Sequence, residues 1–239
     1  MVRTMRNFTA KLLKIGWIPL AMAFLTGASE AQTAADSEDS FVALALRVKQ
    51  PTLVQRSQSQ QTVPLQPNDR LYPGDRIICG KGGQASIIFG DTAVEIKLIA
   101  DTELIFQGRR TNSGITKRIF LQVGRVLTQV FRKEMEVVTP TCVASVKGTR
   151  WWTKVDPLQQ TQVLVLEGEV QVENPISGLV EMVSAGNTAT CDQSGTLKVG
   201  RTISSDIPDE PSDSQQGSLD IRFEDGSGQS KTLHIEFDR

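Results

Sequence analysis

From Phe41 onward the sequence is a succession of short apolar or alternating runs, each closed by a turn signal. The runs fall at residues 42–48, 62–65, 76–79, 85–89, 93–99, 103–106, 115–123, 125–131, 135–139, 143–147, 151–155, 162–166, 169–173, 179–183, 188–191 and 196–199. Pro73-Gly74-Asp75 fits a type II turn, with Pro fixing the first central residue and Gly supplying positive φ at the second. Gly90-Asp91, Glu167-Gly168, Ser177-Gly178 and Gly186-Asn187 do similar work. No stretch after Phe41 repeats with a helical period. The expected fold is therefore all-β, a solenoid-like or sandwich stack of short strands. Only 5% of residues are aromatic, so the core must come from Val, Ile and Leu, which suit a pleated surface.

Alternation assigns faces. Val94, Ile96 and Leu98 fall on one side of their run and Glu95 and Lys97 on the other. Val170 and Val172 are expected to point in, between Glu169, Gln171 and Glu173. Val163-Leu164-Val165-Leu166 has no polar side and reads as a strand covered on both faces. In a strand the rings of Trp151 and Trp152 point to opposite faces. One can enter the core, leaving the other facing outward or under a covering segment. An outward Trp would be a strong protein-contact residue.

The two ends differ from this middle. Arg3, Arg6, Lys11 and Lys14 precede an apolar run at residues 15–25, and small residues follow at Ser29-Glu30-Ala31. This is the layout of a secretory signal peptide over residues 1–31, too short for a spanning helix of roughly 20 apolar residues. An uncleaved anchor is the alternative. Export places the mature chain in the periplasm or outside the cell, with no transmembrane helix after cleavage. Residues 32–40 are a polar linker. Residues 204–218 form a second linker, acidic and rich in Ser and Pro. Beyond it, Leu219-Asp220-Ile221-Arg222-Phe223 and Leu233-His234-Ile235-Glu236-Phe237 alternate around a Gly-containing turn, which reads as a C-terminal β-hairpin over residues 219–239. A lone hairpin is marginal in water, so it should dock on the main domain or on another protein.

Little in the sequence suggests catalysis. The formal net charge is −1, and losing residues 1–31 leaves −4, so nucleic-acid binding is not expected. The sole histidine, His234, sits on the polar side of the hairpin without a partner motif and reads as a surface residue. Calcium-loop, zinc-protease and nucleophile-elbow patterns are missing, and no cofactor is implied. Glycoside hydrolysis needs only two acids across a cleft, for which Asp75, Asp91, Asp101, Glu103 and Glu167 are generic candidates. Most adjoin turns, where Asp caps backbone donors. Three cysteines remain after export, Cys79, Cys142 and Cys191, which allow one disulfide in three pairings. Cys142–Cys191 is the pairing favoured here. Three small buried apolar residues is the other reading.

Residues 136–151 carry a more specific signal: Glu-Val-Val-Thr-Pro-Thr-Cys-Val-Ala-Ser-Val-Lys-Gly-Thr-Arg-Trp. The segment resembles the centre of the FecR domain family of periplasmic sensor domains. That pattern is a strand, Thr-Pro (here Thr139-Pro140), a small-residue strand, then Val-Arg-Gly-Thr and an aromatic (here Val146-Lys147-Gly148-Thr149 and Trp151). Leu71-Tyr72-Pro73-Gly74-Asp75-Arg76-Ile77 resembles the family's early Leu-x-x-Gly-Asp turn. Ala85–Phe89 with Gly90-Asp91-Thr92 looks like its next strand and turn, and Leu121-Gln122-Val123-Gly124-Arg125-Val126 like its Leu-x-x-Gly-x-Val step. The stretches around Glu167-Gly168-Glu169 and Ser184-Ala185-Gly186-Asn187 look like its closing strands. The likeness covers about residues 42–200.

Lys147 stands where the family has Arg, and Trp151 where it has Phe. Family members in iron signalling carry an anti-sigma region and a spanning helix ahead of this domain. Here a signal peptide precedes it, so the expectation is a module without the anti-sigma region. The resemblance implies a β domain at residues 41–203 acting as a non-catalytic interaction or sensing module, its partner an envelope protein or polymer. A carbohydrate-active or carbohydrate-binding envelope protein and a structural envelope protein are the alternatives.

Overall fold

The computed structural model describes residues 41–90, 94–111, 114–131 and 133–211, and the backbone of residues 217–224 and 230–237. Residues 1–40, with the signal-peptide and first-linker readings, lie outside the described residues, as does Asp91. Among the described residues the regular structure is β, apart from one 3-10 turn at Ser204–Asp206.

The chain opens with β1 (Ala43–Lys49), β2 (Thr52–Gln55), β3 (Thr62–Pro64), β4 (Arg70–Leu71), β5 (Arg76–Cys79), β6 (Gln84–Phe89), β7 (Val94–Leu98) and β8 (Thr102–Phe106). A small ribbon, β9 (Arg110–Thr111) with β10 (Gly114–Ile115), leads into the long β11 (Arg118–Val130). Then come β12 (Glu134–Val138), β13 (Val143–Lys147), β14 (Arg150–Val155), β15 (Thr161–Glu167), β16 (Glu169–Asn174), β17 (Leu179–Ser184), β18 (Asn187–Cys191) and β19 (Leu197–Arg201). The terminal hairpin is β20 (Gly217–Glu224) and β21 (Ser230–Phe237).

The ladder bonds divide into two runs that share β11. In one, here layer A, the order is β4-β1-β6-β7-β11-β14-β15-β18-β19. In the other, layer B, it is β3-β2-β5-β8-β11-β12-β13-β16-β17. All pairings are antiparallel except β11–β12. Successive hairpins are laid alternately on the two layers: β12–β13 on B, β14–β15 on A, β16–β17 on B, β18–β19 on A. Each new hairpin extends the ladder of the one before it in its own layer, β16 on β13 and β18 on β15.

One apolar core unites residues of both layers, such as Val126, Trp151 and Val163 from A with Leu104, Val137 and Val170 from B. Burying each such side chain contributes about 1.5–3 kcal/mol, and the alternation of the short strands supplies one to three per strand.

The sequence reading holds for the all-β class and for most strands. Val163, Leu164 and Val165 are all buried, as expected of a strand covered on both sides. Two details differ. The sequence pattern predicts separate strands at residues 115–123 and 125–131, but β11 runs continuously through Gly124 and passes from layer B to layer A there. Gly124 holds φ +103°, and a Cβ at that position would stand 2.4 Å from the Thr102 Cα, so only Gly lets the strand bend this close to β8. The short β2 and β4 fall outside every expected run; the two residues of β4 carry no alternation to read.

The terminal hairpin is present and forms a two-stranded sheet of its own. Its register sets Leu219 opposite Ile235 and Ile221 opposite Leu233, and places the His234 backbone opposite Asp220. The docking expectation for this hairpin and the surface role read for His234 concern side chains outside the described residues.

Candidate interaction site

The Thr139–Trp151 segment forms two joints between the layers. β12 stops at Val138, where Pro140 could not have extended the ladder. Thr139 Oγ1 donates to the Cys142 carbonyl at 3.0 Å and lies 2.8 Å from Thr161 Oγ1. Thr161 Oγ1 in turn lies 2.8 Å from Thr141 Oγ1. These buried hydroxyls tie the β12–β13 turn of layer B to β15 of layer A.

At the second joint the chain leaves β13 for β14 through Gly148, at φ +87°. Thr149 Oγ1 donates to the Glu169 carbonyl at 2.8 Å, and the Thr149 carbonyl accepts from Val130 N–H at 2.9 Å. Gly168 makes the next crossing, from β15 to β16, at φ +76°; a Cβ there would stand 2.9 Å from the Gly148 carbonyl oxygen. Gly186 makes the crossing after that at φ +80°, its N–H donating to the Val165 carbonyl at 2.9 Å. Gly148, Gly168 and Gly186 are therefore successive corners of one edge, linked as Ala185 N–H donates to the Gly168 carbonyl at 3.0 Å.

Gly74 and Asp75 belong to another joint. Gly74 holds φ +86° and donates to the Phe106 carbonyl at 2.7 Å, while Asp75 N–H closes the turn onto the Tyr72 carbonyl at 3.0 Å. The buried Asp75 carboxylate accepts from the Arg56 guanidinium at 2.8 Å, Ser57 N–H at 3.0 Å and Tyr72 N–H at 3.1 Å. It has the turn-capping role that sequence suggested.

Glu103 is paired with Arg76, and Glu167 with Arg150 at 3.6 Å. Asp101 sits at φ +59° in the turn between β7 and β8.

Residues 75–171, from this turn to the middle of β16, match the model of the FecR protein family. This segment is a FecR domain. β1 to β4 and β17 to β19 lie outside the matched FecR segment yet complete both layers. Two crystal structures of a candidate anti-sigma factor from Parabacteroides distasonis are also similar to the chain, with TM-scores of 0.46 and 0.45. Each shares 17% identity and is matched over 53% of this chain and 59% of that one, so the chain spans less than two thirds of that protein. None of the curated proteins matches.

The FecR motif's aromatic position, Trp151, is buried in the main core, its indole N–H donating to Thr153 Oγ1 at 3.0 Å. Trp152 is equally buried but on the opposite side of β14. There it forms a separate cluster with Ile99, Leu127 and Leu164, and Leu166 packs against it. Its indole N–H has no acceptor. Both rings are covered, and the second lies on the outer face of layer A.

Arg150 and Lys154 share that outer side of β14 with Trp152, since the three alternate. Each reaches the segment read as a linker. Arg150 pairs with Glu210, and Lys154 Nζ donates to the Asp206 carbonyl at 3.1 Å. The first part of that segment is thus laid on the domain, a placement its composition did not reveal. Lys147 is exposed at the end of β13, between two grooves on the outside of layer B. One, of ≈ 630 Å³, is lined by Lys117, Arg118, Lys133 and Glu136; the other, of ≈ 450 Å³, by Ser145, Glu169, Gln171 and Met182.

The three FecR-segment and flanking thiols are unbonded and buried. Cys142 and Cys191 are within hydrogen-bonding reach of one another, which is the pairing favoured from sequence, brought together here as thiols. The Cys142 thiol donates to Cys191; that bond, with burial, raises the Cys142 pKa well above the ordinary range, and the same bond lowers that of Cys191 against the opposing effect of burial. Burial pushes the Cys79 thiol up to about 11.

Proposed function

We propose that this chain is an exported, non-catalytic module of the bacterial cell envelope that senses or binds an envelope protein or polymer. One observation carries the reading. Within the FecR domain, Asp75, Thr139, Gly148, Thr149 and Gly168 are committed to turns and corners, so recognition falls to the strand surfaces those corners position. The basic and apolar start of the sequence supports export. Cationic side chains on both outer surfaces, Lys147 on layer B and Arg150 and Lys154 on layer A, suit contact with a partner.

The test is fractionation of cells producing the full chain with a photoreactive residue in place of Lys147, exposed on β13 of layer B, or of Lys198, exposed on β19 of layer A. The expected result is an envelope-fraction protein giving a discrete adduct from at least one position. Retention in the cytosol, or no adduct from either position, would contradict the proposal.

A further inference from the structure

The contacts between residues 203–211 and β14 have a register. Lys154 Nζ donates to the Asp206 carbonyl and Arg150 pairs with Glu210, so the segment runs antiparallel to the strand. Four residues of extended chain cover about 13 Å, the same span as Arg150 to Lys154. Pro208 lies midway in sequence between the two anchored residues, as Trp152 lies midway between Arg150 and Lys154. The segment is not a β-strand. Ile207, at φ −76° and ψ 117°, is extended, and Pro208-Asp209-Glu210-Pro211 spaces two prolines as Pro-x-x-Pro.

Aromatic grooves take extended proline-rich peptides, and this Pro-x-x-Pro strap is anchored by the two cations that flank Trp152 on β14. The hold is modest. Ile203 stays 63% exposed and contributes little, and the Arg150–Glu210 pair is partly exposed. The buried Trp152 indole N–H is left without an acceptor. That is a donor a better-fitting chain could satisfy through a carbonyl.

We propose that the outer face of β14, with Trp152 as its floor and Arg150 and Lys154 as its rails, is a docking groove for an extended acidic Pro-x-x-Pro segment of a partner protein. Residues 203–211 occupy it in cis and are displaced when the partner binds. The carboxylates of such a segment meet Arg150, its proline stacks on Trp152, and a backbone carbonyl reaches Lys154. The inference rests on the interaction reading above in one respect, that the partner is a protein. Its test uses purified components, so it can fail while export and crosslinking in cells stand.

The experiment titrates the intact purified protein into a fluorescein-labelled synthetic peptide with the sequence of residues 203–211, read by anisotropy. The wild-type chain should bind it weakly, because its own strap competes. Glu210→Lys removes the strap's anchor and should tighten peptide binding by about fivefold, the factor set by one exposed ion pair. The double variant Arg150→Glu with Glu210→Lys re-forms the pair in reverse and should return binding to the wild-type level or below. A peptide with both prolines changed to Ala should bind the Glu210→Lys protein more weakly than the parent peptide. Equal peptide binding by wild type and Glu210→Lys would overturn the proposal. A concentration-dependent wild-type dimer with exchanged straps, seen by light scattering, would assign the groove to a second copy and overturn it too.

Discussion

Gly124 and Gly178 both hold positive φ, at +103° and +71°, yet their surroundings separate them. A Cβ on Gly178 meets nothing within 4 Å, whereas one on Gly124 stands 2.4 Å from the Thr102 Cα and 2.6 Å from the Asp101 carbonyl oxygen. Gly178→Ala should therefore cost only the left-handed backbone penalty, about 1 kcal/mol. Gly124→Ala adds a backbone collision and should cost about 2–4 kcal/mol, both read from denaturant unfolding. Asp75 offers a second residue-scale test. Its carboxylate satisfies a guanidinium and two backbone donors, so Asp75→Ala should destabilise by about 2–4 kcal/mol. A loss below about 0.5 kcal/mol, the scale of a surface substitution, would contradict that role. The sequence makes Pro73-Gly74-Asp75 visible as a turn because the turn is local. Arg56 and Ser57, which complete it, come from another loop and leave no local trace.

Among elements, the β12–β13 turn and β18 belong to different layers and meet at Cys142 and Cys191. Oxidation by a disulfide reagent such as oxidised glutathione should join them. Both thiols are buried, so local opening must expose one of them to attack the reagent and form a mixed disulfide; the other thiol then displaces the remaining glutathione, and the bond forms as two reduced glutathiones are released. For a loop of about fifty residues the chain-entropy gain is about 4 kcal/mol. The oxidised wild type should melt above its reduced form, while Cys142→Ser should show no redox-dependent shift. An oxidised protein whose mass and melting match the reduced form would contradict the pairing. Strand existence was legible wherever alternation ran for five residues or more, as in β7 and β16. The bend inside β11 was not. Gly124 reads as a turn signal when its neighbours in space are unknown, and only β8 beside it turns that signal into a bend.

Across the whole molecule, the order of the two layers follows from laying hairpins alternately on either side of one core. The all-β class, the two-sided burial of β15 and the opposed Trp rings could be read from periodicity alone. Which hairpin joins which layer could not, because β13 pairs with β16 and β15 with β18 across intervening chain. The strap was hidden for a related reason. Ser, Pro and acidic residues make residues 203–211 resemble a free linker, and only Arg150 and Lys154 on the finished sheet give them a place to lie. The outer face of layer A is thus a covered surface built from strand, strap and charge together. The most direct test is a nuclear Overhauser measurement between the Trp152 indole protons and the Pro208 ring protons in the intact protein. The expected result is a cross-peak that weakens in Glu210→Lys. A Trp152 ring with no contact to Pro208, and residues 203–211 with random-coil shifts, would contradict it.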